Sequence, residues 1–278
     1  MIQYLAYHFT TADEQTAEIL MALLADYGFD TFDQNDNQLS AYIPDKVEIK
    51  NEIATYLFDL QQKFVFTWSQ TEMEQKNWNE EWEKNFKPVN IANRCLIRAP
   101  FHPAEKSVEF DILIEPRMSF GTGHHESTHL MIQEMLDLNF KGKSVCDAGC
   151  GTGILAILAA KKGAQSVFAV DIEEWAYRNA LDNIALNNVI DEVTIELGDF
   201  SLLQDKQFDI ILANINKHIV LGNIQQFFRS ISPGGFLIIS GILQNDINDV
   251  EKEAGNYFFQ LISTSSKHDW ISAVFQQV

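Results

Sequence analysis

A chain of 278 residues has room for one large folded unit and one small one, each with its own core. Its 46% hydrophobic content and mean hydropathy of -0.12 suit a folded, water-soluble protein, and no apolar run is long enough to span a bilayer. With 39 acidic against 20 basic residues the formal charge is -19, which argues against direct binding of nucleic acid, since phosphate contacts rely on Lys and Arg.

The first seventy residues read as strand, helix, strand, strand, helix, strand. Ile2 to Phe9 is rich in β-formers, and Ala17, Leu20, Met21 and Leu24 then recur at helical spacing. Gly28 to Asp33 and Leu39 to Ile43 predict two strands joined by the turn-rich QNDNQ. Ile49, Ile53, Leu57 and Leu60 make a second apolar helix face, and Phe64 to Trp68 closes the unit. This order is that of a small ferredoxin-like α+β domain, assigned to residues 1–71. It holds no cluster of chemically active residues, which suits recognition better than catalysis. Residues 72–92 are strongly charged and predict a linker helix whose Trp78, Trp82 and Phe86 share one face, a stripe suited to packing one domain on the other.

Residues 93–278 form the second domain. Cys95 to Ala99 and Val108 to Ile114 are strand candidates, and from His125 onward helices and strands alternate in the rhythm of a doubly wound parallel sheet. KSVCDAG is a buried strand entering a glycine turn, with ILAILAAKK as the helix behind it. SVFAVDI, VTIEL, FDIILANI and GGFLIISGI are further strands, and YFFQLISTSS and DWISAVFQQV predict an antiparallel pair at one sheet edge. The three cysteines, Cys95, Cys146 and Cys150, have neither disulfide nor paired zinc spacing, and buried packing is the expectation for the last two.

The strongest chemical signal is DAGCGTG, Asp147 to Gly153. Its glycines permit a tight turn and let a ligand approach bare backbone at a helix N-terminus. One such turn is weak by itself, since many α/β proteins need one to pass from strand to helix. Three further residues strengthen it. Asp171 closes the next strand, where a carboxylate can take both hydroxyls of a ribose; Asp199 follows the third strand, placed to bond an adenine edge; Asn214 ends the fourth. Open α/β sheets bind ligands at such carboxyl ends.

These residues resemble the class I S-adenosylmethionine-dependent methyltransferases, whose catalytic domain is Rossmann-like with a seven-stranded sheet. More narrowly, SFGTGHHEST, DAGCGTGILAI, DIEEWAYRNALDNIALN, LANIN and SPGGFLIISGIL are similar to the PrmA family, which methylates large-subunit ribosomal protein eleven. The resemblance implies that S-adenosylmethionine is the cofactor, contacted by Thr128, Gly149, Asp171 and Asn214. It places Thr128 near the methionine end, Gly149 at a close backbone approach, Asp171 on the ribose and Asn214 beside the transferring methyl, where it orients the incoming amine. It also implies a protein substrate, methylated on its α-amine or on lysines. Two positions depart from the family pattern: Glu126 stands where a proline is usual, and Asn216 where an aliphatic residue is common.

His125, Glu126 and His129 also spell HEXXH, a zinc-protease helix signature, but no third ligand stands in a diagnostic position, and no metal is expected. Methylation of nucleic-acid or small-molecule amines, and a non-catalytic cofactor sensor, remain open alternatives. The N-terminus MIQYLAYHFT lacks the basic region and cleavage site of a leader, so the expectation is a cytoplasmic monomer with no membrane partner.

Overall fold

The computed structural model describes residues 4–44, 47–72, 87–105, 107–115 and 121–278. The face of Trp78, Trp82 and Phe86 lies outside these residues. The chain divides into two compact units, Met1–Asn85 and Phe86–Val278.

The front unit runs β1 (Tyr4–Thr11), α1 (Glu14–Tyr27), β2 (Thr31–Asn35), β3 (Gln38–Pro44), α2 (Val47–Gln61) and β4 (Phe66–Glu72). Its sheet has the order β2-β3-β1-β4 with every neighbouring pair antiparallel, the ferredoxin-like arrangement. Local chemistry sets the ends of α1. Asp13 accepts from the Thr16 N–H at 2.8 Å, and Gly28 takes a φ of 116° that an L-residue resists. Alternation does the rest: Leu5, Tyr7 and Phe9 on β1 and Leu39, Ala41 and Ile43 on β3 are buried with Leu20, Leu24, Ile53 and Leu57 of the helices. The opposite face is polar, with His8 set 3.0 Å from both Ser40 Oγ and Thr71 Oγ1.

The rear unit opens with a three-stranded sheet, β5 (Val89–Ile91), β6 (Cys95–Arg98) and β7 (Phe110–Leu113). The linker helix expected to reach residue 92 therefore does not extend that far. Pro88 cannot supply an N–H within a helix, and the β-branched Val89 and Ile91 pair with Ile97 and Cys95 of β6 instead. Then follow α3 (Glu126–Asp137), β8 (Ser144–Ala148), α4 (Ile154–Lys161), β9 (Ser166–Asp171), α5 (Glu174–Leu186), β10 (Val193–Leu197) and β11 (Phe208–Asn214). The chain ends with α6 (Lys217–Ser230), β12 (Ile231–Leu243), α7 (Ile247–Asn256), β13 (Phe259–Lys267) and β14 (Trp270–Gln277).

The seven-stranded sheet has the order β10-β9-β8-β11-β12-β14-β13. Its first five strands are parallel and β14 runs antiparallel to both neighbours. The terminal pair is thus at an edge as expected, with the last strand on the inside of it. Both sheet faces are covered: Val145, Val167, Ile210 and Leu212 pack with α3, α4 and α5, while Cys146, Ala148, Ile211 and Ala213 pack with α6 and α7. Burial on both faces explains why these strands read as continuous apolar runs. Cys146 and Cys150 are buried, as expected, and so is Cys95. Strand order reverses between β8 and β11, so the carboxyl ends of these strands splay apart and open a crevice. Among the described residues no helix is long and apolar enough to cross a membrane.

Candidate active site

The glycine turn between β8 and α4 forms the floor of that crevice. Gly149, Gly151 and Gly153 have φ of 75°, 55° and 77°, a run that side-chain-bearing residues resist. At Gly149 a Cβ would also lie 2.6 Å from Ile215 Cγ2, so bare backbone is required there. Asp147, just before the turn, is buried; one carboxyl oxygen accepts from the Ala156 N–H at 3.0 Å and the other has no partner.

At the end of β9, Asp171 Oδ2 accepts from the Gly151 N–H at 2.8 Å and Oδ1 from the Glu173 N–H at 3.0 Å. Two backbone bonds fix the carboxylate and leave each oxygen with acceptor capacity for a ligand hydroxyl. Asp199 accepts from the Ser201 N–H at 2.9 Å, and its hydrogen bonds to Ser201 hold its pKa below the usual carboxylate value. Both acids line a cavity of about 830 Å³ at the strand ends, with Gly149, Gly151, Ile172, Trp175 and Phe200 on the same side. His125, Asn214, Asn216, Ile219, Gly241 and Trp270 line the other side, beyond the switch point. A cavity of this size accommodates an extended nucleoside ligand with an acceptor group beside it.

Three of the four expected contact residues, Gly149, Asp171 and Asn214, line this cavity. Thr128 does not. It is wholly buried in the first turn of α3, and its Oγ1 accepts from Asn214 Nδ2 at 3.2 Å. Its side chain reaches the cavity through Asn214. Among the described residues, Asn214 Oδ1 on the same amide has no partner. The two departures from the family pattern also find local roles. Asn216 caps α6, accepting from the Ile219 N–H at 3.1 Å, and Glu126 Oε1 lies 3.3 Å from His268 Nδ1.

Of the HEXXH residues, His125 lines the same end of the cavity. His125 caps α3, its Nδ1 accepting from the Ser127 N–H at 3.2 Å, and its ring meets Trp270 edge-on at 4.5 Å. Burial holds the His129 imidazole below its usual pKa. Among the described residues no three His, Cys, Asp or Glu side chains are grouped to hold a metal ion.

Residues 6–278 match the family model for ribosomal protein L11 methyltransferase, PrmA. This chain belongs to that family. A ribosomal protein L11 methyltransferase of Porphyromonas gingivalis is 42% identical over 99% of this chain and 98% of its own length. One from Bacteroides fragilis is 40% identical over 99% of both. The crystal structure of a ribosomal protein L11 methylase from Lactobacillus delbrueckii subsp. bulgaricus superposes with a TM-score of 0.63 at 29% identity, covering 69% of this chain and 99% of that one. The protein is accordingly an S-adenosylmethionine-dependent methyltransferase. The bare backbone at Gly149, the fixed Asp171 carboxylate and the orphaned Asn214 oxygen fit that cofactor.

Several residues of this methyltransferase site carry no sequence signal of their own. Trp270 and His125 face the cavity only through the tertiary fold. Asn183 on α5 and Asn187, the residue that ends it, bond backbone groups of Leu113 and Glu115, and Asn183 Nδ2 also donates to Thr152 O at 2.9 Å. They tie the small sheet to the glycine turn. Their i, i+4 spacing was visible, but a polar ladder on a helix ordinarily faces solvent.

Asp147 gives the apo methyltransferase a pH signature. Burial pushes its pKa up to about 7, with the charge on Asp171 adding and the Ala156 N–H opposing. The unfolded value is about 3.9, so folding favours the protonated acid, and that stability is lost as pH rises from about 4 towards 7. In Asp147→Asn, which keeps an oxygen for the Ala156 N–H, this loss should vanish. The melting temperature of the variant relative to wild type should therefore rise by several degrees over that interval. A difference independent of pH would show that Asp147 is already ionised in the folded protein.

Proposed function

We propose that this enzyme methylates amines of ribosomal protein L11, at the N-terminal α-amine, at lysine side chains, or at both. The observation that carries the reading is Asn214: a buried amide oxygen without a partner among the described residues, held by Thr128 at the end of β11, beside the cavity at the strand ends. Such an oxygen can accept one N–H of an incoming neutral amine and aim its lone pair. The names of the relatives, each a ribosomal protein L11 methyltransferase, support the protein substrate.

Bound S-adenosylmethionine would supply a methyl on a sulfonium, already activated for transfer to an amine lone pair. Around that chemistry the chain has three tasks. Asp171 holds the ribose hydroxyls through its two free acceptor positions, and the backbone at Gly149 allows close approach. Asn214 orients the amine, with Thr128 as its positioning residue. Donor and acceptor together would displace water from the cavity, which matters because lysine, with a pKa near 10.4, must lose its proton before transfer. Partial desolvation beside a positive sulfonium lowers that pKa, so no catalytic His or Cys is needed.

In this reading the front unit, residues 1–71, selects the substrate, and the rear unit performs the transfer. A formal charge of -19 favours a basic protein over nucleic acid, and the enzyme acts as a cytoplasmic monomer. Incubation with radiolabelled donor, using ribosomal protein L11 from an unmethylated source alongside RNA and small amines, should label only the protein. Mass analysis should place the label on amine nitrogens. Label in RNA, or none in the protein, would overturn the assignment.

A further inference from the structure

The side of the cavity beyond Asn214 has an aromatic wall that none of these roles uses. Trp270, the first residue of β14, lines it. The ladder between β12 and β14 pairs Ile239 with Ala273, yet Ile242 with Ile271 and Leu243 with Trp270. A regular ladder would set Trp270 opposite Ile242; one extra residue in β12 shifts the pairing, and such bulges re-aim side chains beside active sites. Gly241 sits in that bulge with a φ of 78°, and a Cβ there would lie 2.6 Å from Ile215 O, so no side chain stands between β12 and the cavity at that point. His125 supports the indole edge-on, with ring centroids 4.5 Å apart and planes 71° apart, and is itself fixed as the cap of α3.

The charges are distributed unevenly. Among the described residues, the carboxylates lining the cavity are Asp171 and Asp199, both on the side of β9 and β10, and the side of Trp270 has no lining carboxylate, lysine or arginine. A carboxylate there would bind an ammonium strongly and raise its pKa, keeping the proton on the nitrogen that must attack. An indole attracts an alkylammonium through its π face and packs against an unbranched alkyl stem without competing for the lone pair.

We propose that Trp270 is the acceptor-binding residue of this enzyme, holding the alkyl stem and cationic head of an amine and so setting the preference for amines on unbranched stems. This rests on the amine-methylation reading above. The same surface accepts the methylated ammonium product, because a π contact needs no N–H.

The test uses the full-length enzyme with Trp270→Leu and Trp270→Phe, ribosomal protein L11 as acceptor, and butyltrimethylammonium as a competitive probe. Trp270→Leu should raise the acceptor KM about tenfold, the size of one such contact, while the Kd for S-adenosylmethionine stays within about twofold. Trp270→Phe should restore most of the KM, and the probe should compete with the acceptor in wild type but not in the Leu variant. Unchanged acceptor KM in Trp270→Leu, or cofactor affinity that falls in step with it, overturns the proposal. If wild type methylates no amine at all, it is the functional reading that fails instead.

Discussion

Replacing Asp171 with alanine should weaken S-adenosylmethionine binding by about two to three orders of magnitude and leave the fold in place. The carboxylate stands at the end of β9, and its two backbone bonds, to Gly151 and Glu173, aim it without exhausting its lone pairs. Each charge-assisted bond to a ribose hydroxyl is worth roughly 1.5–3 kcal/mol, and partial exposure of the site favours the lower end for two of them. Alanine also frees the Gly151 and Glu173 N–H groups, but the first borders the cavity and the second is exposed, so water can satisfy both and the stability cost should be about 1–2 kcal/mol. Asp171→Asn, which keeps one acceptor oxygen, should fall between wild type and alanine. Calorimetric titration reads the affinities and thermal unfolding the fold. An affinity for Asp171→Ala equal to that of wild type would remove Asp171 from the cofactor site.

How much of this was legible in the sequence depends on how local each feature is. The glycine turn and the residues closing β9, β10 and β11 are fixed by short-range chemistry: glycines where φ must be positive, and polar residues where an apolar strand stops. The cavity forms where those ends converge. Thr128 shows the limit of spacing alone. Its position predicts proximity to the ligand, but only packing of α3 beside β11 decides that its hydroxyl meets the Asn214 amide. Trp270 was hidden for a related reason, since the bulge that re-aims it depends on pairing between strands far apart in the chain. HEXXH is a case of the opposite kind. Two histidines one turn apart do occur on α3, but the first is the helix cap and turns its ring to Ser127 and Trp270. The strand β5 escaped notice because three residues beside a charged run have little propensity of their own, and β6 stabilises them.

Removing the front unit should separate binding from substrate choice. The buried clusters of the rear unit draw on residues between Ile91 and Phe275, and that of the front unit on residues between Leu5 and Phe66. Among the described residues, a cut before Lys87 therefore takes nothing from the rear cores. The position of the cut matters. Val89–Ile91 pairs with β6, Ile91 is fully buried, and His124 Nε2 donates to the Lys87 carbonyl at 2.9 Å. A chain beginning at Lys87 should then fold and bind S-adenosylmethionine with near-native affinity. One beginning at Asn93 loses β5 and should be less stable by at least the burial of one isoleucine, about 2 kcal/mol. On ribosomal protein L11 the chain from Lys87 should lose about three orders of magnitude in kcat/KM. The transfer machinery is intact, but the acceptor amine is no longer delivered in a fixed orientation, and orientation of this kind is worth several kcal/mol. Small amines, which gain nothing from the front unit, should be methylated at an unchanged slow rate. The comparison of both acceptors on both chains isolates recognition from chemistry. If the shortened enzyme methylates ribosomal protein L11 as fast as the whole chain, the front unit serves some purpose other than substrate choice.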